Sequence, residues 1–400
     1  MEQIKSVSEI NARIEKGKAV VMTAEEVIGY VERKGLEAAA KEIDVVTTAT
    51  FGPMCSSGAF LNVGHSKPKI RITEATLDDV EAYAGVAAVD LYIGATQLPV
   101  NSPKNSYFPG EFRFGGGHII EKLVRGESVR LFARSYGTED YPVKEISTEI
   151  TLADLNQAIM TNPRNCYQNY NVAINSSAET LYTYLGALKP NFGSIGYSSA
   201  GQLSPLLNDP YYRSIGIGSK VWLAGAPGIV YAAGTQHSPD AERGENGVPV
   251  DGAGTLGLTA DMKQMLPEFV RGVSIKGYGV SLSLGIAIPI PITSLEVLKW
   301  CTVRDEEIFA PVIDYAVDYP QATGKMLTRV NYAELRRGEV RLFDRLIETG
   351  SFSSYEKALK AANLLADSIR AGEFTVNAPV MSLPTQGSSR PMKIVPPQGV

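Results

Sequence analysis

Cysteine is scarce in this chain: three thiols, Cys55, Cys166 and Cys301, among 400 residues. So few, with no Cys-x-x-Cys pair, exclude a disulfide framework and leave no spacing for structural zinc or an iron–sulfur cluster. Histidine is equally sparse. His65, His118 and His237 form no His-x-His or His-x-x-x-His pair, so a three-histidine metal site has no pattern behind it. No run of about 18 uncharged apolar residues exists to cross a membrane. The longest apolar stretch, 279–292, is interrupted by glycine, serine and proline and reads as buried strand and turn. The first residues form a polar helix pattern without the apolar segment of a secretory signal, so a cytoplasmic protein is expected. A net charge of −5 with no Lys/Arg run makes nucleic acid a poor partner.

What is present is globular: 44% hydrophobic and 20% charged residues, in a chain long enough for two to three domains. Ile10 and Ile14 share a helical face, and 19–22 is a short strand. Thr23-x-x-Glu26 is a capping box opening a helix that turns Val27 and Val31 inward and ends near Ala40. The β-rich run 44–50 then stops at Gly52 and Pro53. This rhythm predicts the α/β class, a large mixed-sheet body, and places Cys55 just beyond a strand's C-terminal end, where open α/β sheets hold ligands. Further on, the pattern predicts a strand over 69–73 and a helix over 77–83. Two strands follow at 128–135 and 143–150, joined by the turn-rich 136–142. Thr151-x-x-Asp154 reads as the start of a helix through Met160, and Ser177 as the start of another through Leu188. The middle carries Gly-rich strands, with β runs at 220–224 and 229–232. Two charged amphipathic helices over 331–347 and 354–371 predict a helical C-terminal appendage. The expected organisation is one α/β domain over 1–330, with room for a split near 150, a helical appendage over 331–376, and a disordered tail from 384 to 400.

Cys55 sits in Phe51-Gly-Pro-Met-Cys-Ser-Ser-Gly-Ala-Phe60. Backbone N–H groups in such a small-residue turn can form an anion-binding concavity, which favours the thiolate, the nucleophilic form. Ser56 and Ser57 add hydroxyl donors, and His65 follows in Asn62-Val-Gly-His-Ser-Lys-Pro68 as a candidate base or cationic partner. A buried turn cysteine beside a structural histidine fits the same residues. Cys166 lies in Asn162-Pro-Arg-Asn-Cys-Tyr-Gln-Asn-Tyr-Asn171, a crowding of polar side chains that is either a solvated turn or a wall around a polar ligand. In the second reading Arg164 forks a carboxylate or lowers the Cys166 thiol. Cys301 has no comparable setting and reads as a packing residue. Gly115–117 before an apolar run reads as a glycine turn into a helix N-terminus.

As a set, these segments resemble the homocysteine biosynthesis enzymes of the sulfur-incorporation family, the L-aspartate semialdehyde sulfurtransferase type. The resemblance rests on residues 45–62 with Gly64-His-Ser66, and continues through Asp79-Val-Glu-Ala-Tyr83, Asn162-Pro-Arg-Asn165, Gly234-Thr-Gln-His237, Gly252-Ala-Gly-Thr255 and Gly277-Tyr-Gly-Val280. It implies that a cysteine persulfide delivers sulfur to aspartate semialdehyde and that a two-electron reduction then gives homocysteine. Electrons would come from a ferredoxin-like iron–sulfur protein, with no cofactor bound here, and a homo-oligomer is expected. Cys55 matches the family's first thiol. Cys166 is then the candidate second thiol and His65 the proton carrier, with Ser56, Ser57, Arg164, Asn165 and His237 around the substrate. Many members carry another cysteine in the turn matching 136–142, where this chain has Glu139 and Asp140. The CBS-domain extension of many relatives is also missing, so nucleotide regulation is not expected. The alternative reading is a persulfide carrier or assembly partner without its own turnover; a third is a non-sulfur enzyme or sensor on the same fold.

Overall fold

The structure, a computed structural model, describes residues 3–393. The N-terminal rhythm is as expected. Ser6 and Glu9 close a capping box on the helix Val7–Glu15, which buries Ile10 and Ile14. Thr23 and Glu26 bond reciprocally, 2.8 and 3.1 Å, at the entrance to Glu26–Lys34. Gly35, at φ 80°, breaks that helix from Leu36–Glu42. The strands on either side, Val21–Thr23 and Val45–Pro53, pair in parallel, which makes a βαβ unit.

Two sheets organise the rest, and the class is mixed α/β as the pattern predicted. Fourteen strands form a mixed sheet in the order Val21–Thr23, Val45–Pro53, Gly279–Pro291, Lys220–Leu223, Ala226–Ala232, Leu256–Asp261, Gln157–Asn165, Gly58–Asn62, Asp90–Gly94, Val80–Ala87, Glu74–Leu77, Val129–Arg134, Glu145–Ile150. Val270–Ile275 pairs beside Gly279–Pro291. The apolar run is one 13-residue strand, buried at all but its first residue, in register with Val45–Pro53 from Pro53↔Ser283 to Val45↔Pro291. The helices Gly116–Val124 and Tyr355–Arg370 pack on it. The latter presents Ala358, Ala361, Ala362, Leu365, Ala366 and Ile369, a stripe at helical spacing whose alanines admit close contact. A smaller sheet runs Lys325–Asn331, Phe309–Asp314, Val172–Ile174, Ser194–Tyr197, Arg345–Ser351, Glu339–Leu342 around its own core, which includes Val312, Ile347 and Tyr332. Among the described residues no helix is long and apolar enough to cross a membrane.

Several local expectations are overturned. Residues 69–73 form no strand. The helix expected over 77–83 is a hairpin, Leu77↔Val80, whose two turn residues Asp78 and Asp79 take φ 45° and 65°. Asp154 does accept the Thr151 N–H and hydroxyl, 2.8 and 2.7 Å, but closes only a turn. The chain beyond it, Gln157–Asn165, is a strand because Gly58–Asn62 and Leu256–Asp261 flank it with ladders. Ser177 opens no helix: Leu181–Thr183 and Gly186–Leu188 form a hairpin. Within 331–347 only Tyr332–Arg336 is helical; Glu339–Leu342 and Arg345–Ser351 then pair around Phe343 and Asp344, both left-handed. Of the tail expected to be disordered, 384–387 is tied down: His237 bonds the Pro384 carbonyl at 2.9 Å and the Gly387 N–H donates to Asp240 at 2.8 Å. Residues 394–400 lie outside the described residues.

The glycine turn does lead into a helix N-terminus, and its purpose is close approach. A Cβ on Gly116 would fall 1.8 Å from the Gly94 carbonyl oxygen, and one on Gly117 2.1 Å from that of Ser281. Both obstacles are backbone and cannot rotate away. Gly116→Ala is therefore expected to lower the urea midpoint, with a loss of about 1–3 kcal/mol from overpacking; an unchanged midpoint would show that the helix stands off the sheet.

Candidate active site

The chain passes between the two sheets at a seam, and a cavity of about 270 Å³ opens there. One wall is the turn after Val45–Pro53, carrying Met54, Cys55 and Ser56. The second is the connector from Gln157–Asn165 to Val172–Ile174, carrying Arg164, Asn165, Cys166, Tyr167 and Tyr170. Ser198 and Ser199 after Ser194–Tyr197, and Phe352 and Ser353 after Arg345–Ser351, close the third side, with Tyr184 and Tyr278 across it. Gly52 lets the last pair approach: a Cβ there would meet Ser353 Oγ at 2.8 Å and Ser198 Oγ at 3.5 Å, and those hydroxyls bond each other at 2.8 Å.

The connector is held by buried amides. Gln168 Nε2 donates to the Leu206 and Pro210 carbonyls, 2.7 and 2.9 Å, while its Oε1 accepts from the Gly254 N–H at 3.0 Å and from the Tyr212 hydroxyl. Asn169 Nδ2 donates to the Pro249 and Phe309 carbonyls, and its Oδ1 accepts the Tyr332 hydroxyl at 3.1 Å. Every bond ties the connector to a different segment, so its small and polar residues are placed rather than solvated. Cys166 and Asn169 take positive φ, 49° and 54°, as the chain kinks between sheets.

Cys55 is half-buried at the cavity, with the Tyr278 phenol beside it. Burial first, and the neighbouring thiol second, push the Tyr278 phenol up to about 12, so it stays protonated at neutral pH. Ser57 closes the turn, its Oγ and N–H both donating to the Met54 carbonyl at 2.7 and 3.0 Å. Ser56 Oγ donates to the Arg164 carbonyl at 3.1 Å, stitching the two walls. The N–H groups of Cys55 and Ser56 bond no described residue, which leaves them for an anion at the turn. Burial pushes the Tyr167 and Tyr170 phenols up, the nearby Arg164 guanidinium opposing it only in part, and Arg164 pairs with no carboxylate among the described residues. Asn165 is buried with its Nδ2 bonded to Asn162 and Leu256 carbonyls, and its Oδ1 unpaired. The unpaired guanidinium on the cavity wall is the complement of a carboxylate, whereas Asn165 Oδ1 is enclosed and does not face the cavity.

Other expected participants lie elsewhere or are silent. Cys166 reaches the same cavity, but burial pushes its thiol far up, away from the thiolate. Cys301 is fully buried against the Asn208 carbonyl at 3.7 Å, as a packing residue should be. His65 does not line the cavity. It follows the far end of Gly58–Asn62 from the Cys55 turn, its Nδ1 3.2 Å from the Ile70 carbonyl and its ring 5.9 Å from Tyr141. The turn 136–142 with Glu139 and Asp140 is therefore beside His65 and off the cavity. His237 also stays outside: Nδ1 accepts the Thr255 N–H at 3.0 Å and Nε2 holds Pro384. Its neighbour Gln236 lines the cavity instead.

The tyrosines were missed. Tyr184 bonds the Tyr315 hydroxyl at 2.7 Å and the Asn171 amide oxygen at 3.3 Å, and its ring lies 6.1 Å from Tyr278 and 5.9 Å from Tyr170. Only the 19 tyrosines in the chain, and the Gly277-Tyr-Gly279 segment, hinted at such a cluster.

Comparison with known proteins bears on this cavity. Residues 19–376 match the family described as homocysteine biosynthesis enzyme, sulfur-incorporation. An L-aspartate semialdehyde sulfurtransferase from Methanosarcina acetivorans is 47% identical over 97% of this chain and 74% of its own length. One from Methanocaldococcus jannaschii is 44% identical over 98% of this chain and 75% of its own. No solved structure matches. With a family match over most of its length and two relatives aligned nearly end to end, this chain belongs to the sulfur-incorporating homocysteine biosynthesis enzymes.

Proposed function

We propose that this chain is an L-aspartate semialdehyde sulfurtransferase, forming homocysteine from the aldehyde and sulfide with electrons from outside. The observation that carries the reading is the half-exposed Cys55 thiol in one cavity with Arg164, whose guanidinium pairs with no carboxylate among the described residues. Arg164 grips the substrate carboxylate as a fork, which leaves the aldehyde end to face the sulfur. The Cys55 and Ser56 N–H groups of the turn, which bond no described residue, stand ready to donate to an anion formed at the sulfur.

The overall reaction balances as aldehyde plus hydrogen sulfide plus two electrons and two protons, giving the thiol and water. A persulfide on Cys55 holds its outer sulfur two electrons above sulfide. Loading it by displacement on a hydropersulfide, whose thiolate leaves, needs no oxidant, and discharging it to homocysteine then takes four electrons from the external donor, two more than the route from sulfide. The electrons come from outside, and a small iron–sulfur protein is the donor that the family resemblance implies. Cys166, protonated and buried, serves packing in this reading, and neither His65 nor His237 enters the chemistry.

Three measurements test it. With aldehyde, sulfide and a strong chemical reductant, wild type is expected to form homocysteine and Cys55→Ser none; product from both would move the nucleophile elsewhere. Arg164→Gln should raise KM for the aldehyde by about 10- to 100-fold, the cost of a lost charged hydrogen bond, and an unchanged KM would remove Arg164 from the site. Iodoacetamide should modify Cys55 in the folded protein while Cys166 and Cys301 react only after denaturation, read by peptide mass spectrometry. Equal labelling of all three would contradict the burial on which the assignment rests.

A further inference from the structure

Cys55 and Ser56 border two cavities, not one. The second, about 470 Å³, lies against the other side of the turn and is lined by Ser57, Glu81, Tyr83, Tyr92, Thr96 and Gln97. Its floor is the large sheet, where Phe60, Tyr92 and Tyr83 sit opposite one another in register on adjacent strands. Tyr92 folds over Gly58: a Cβ there would fall 2.2 Å from its hydroxyl oxygen. Tyr83 stands 64% exposed at the rim, so this cavity opens directly to solvent.

The two cavities carry different recognition chemistry. The first holds an unpaired guanidinium. The second has no cation on its wall, and its one charge is Glu81, bonded by the Gln97 amide at 3.4 Å. A carboxylate is therefore repelled from the second cavity, whereas a neutral or amine-bearing molecule is not. Thiol exchange at sulfur also depends on access to the attacking thiolate. An amino aldehyde resting on Arg164 would obstruct any donor that shared its cavity.

On the reading of Cys55 as the sulfur-bearing nucleophile, we infer that the second cavity is a separate loading port, which admits a small, amine-bearing hydropersulfide to Cys55 while the aldehyde occupies the first. The step is a displacement. The Cys55 thiolate attacks the outer sulfur of R–S–SH, the bond between the donor's two sulfurs breaks, Cys55–S–SH forms, and R–S⁻ leaves. The proton stays on the transferred sulfur, and no oxidant is consumed.

The test uses the full chain and cysteamine hydropersulfide, following the 32 Da gain on the Cys55 peptide by rapid quench and mass spectrometry. L-Homoserine, which has the substrate's amino and carboxylate groups but no aldehyde, fills the first cavity at concentrations that inhibit homocysteine formation. Loading at the same rate with and without homoserine is expected. Thr96 is exposed, and Thr96→Trp fills the second cavity without disturbing the core; it should slow loading by roughly tenfold while homoserine binding is retained. Homoserine that blocks loading, or a Thr96→Trp protein that loads like wild type, would overturn the second port and leave Cys55 as nucleophile. Absence of any gain on Cys55 in wild type would instead overturn the nucleophile assignment, and the port with it.

Discussion

Two adjacent amide side chains, Gln168 and Asn169, hold the segment on which the site is built. Each is buried and bonds backbone carbonyls from loops that are distant in sequence, so the chain can leave one sheet for the other without unsatisfied polar groups. Breaking either set strands two carbonyls at once, each worth about 1–3 kcal/mol when left unpaired in the interior. Arg164, Asn165, Cys166 and Tyr170 take their positions from this anchorage. The polar crowding that looks wasteful in sequence is the condition for a cavity at a sheet-to-sheet crossing.

The three thiols show how surroundings divide one residue type among roles. Cys301 is enclosed with a buried carboxylate, Asp209, nearby, and both burial and that charge hold it protonated. Cys166 is on the cavity but desolvated. Cys55 alone combines partial exposure, a neighbouring phenol and free turn N–H groups. Reactivity here follows solvation and hydrogen bonding, and nothing in the local composition separates Cys55 from Cys166 so clearly.

Much of the fold was legible where the pattern was strong. The capping box at Thr23, the strand through Thr50, the long apolar run and the amphipathic 354–371 all carry local signals that tertiary packing reinforces. The failures share a cause. Asp78-Asp79 and Phe343-Asp344 make tight hairpin turns with non-glycine residues in left-handed conformations, which sequence rules reserve for Asn-Gly or Gly pairs. Thr151 and Asp154 make the side-chain bonds of a helix start, but a strand ladder on each side of the following residues outweighs them. For the site, the Cys55 turn and the Arg164 connector were visible as unusual composition. His65 is close to Cys55 along the chain but not at the cavity, because a five-residue strand separates it from the Cys55 turn. The tyrosine cluster came from four separate segments, so no single window revealed it.

Cys55 and Tyr278 are joined by a ruler. They sit just past facing ends of two strands, Val45–Pro53 and Gly279–Pro291, that pair without a break in register. Each residue along such a ladder advances about 3.3 Å and alternates face. A substitution within these buried strands acts through packing, whereas losing or gaining one residue in either would slide sulfur and phenol past each other. What sets the distance between sulfur and phenol is thus a count of residues, which no single substitution alters.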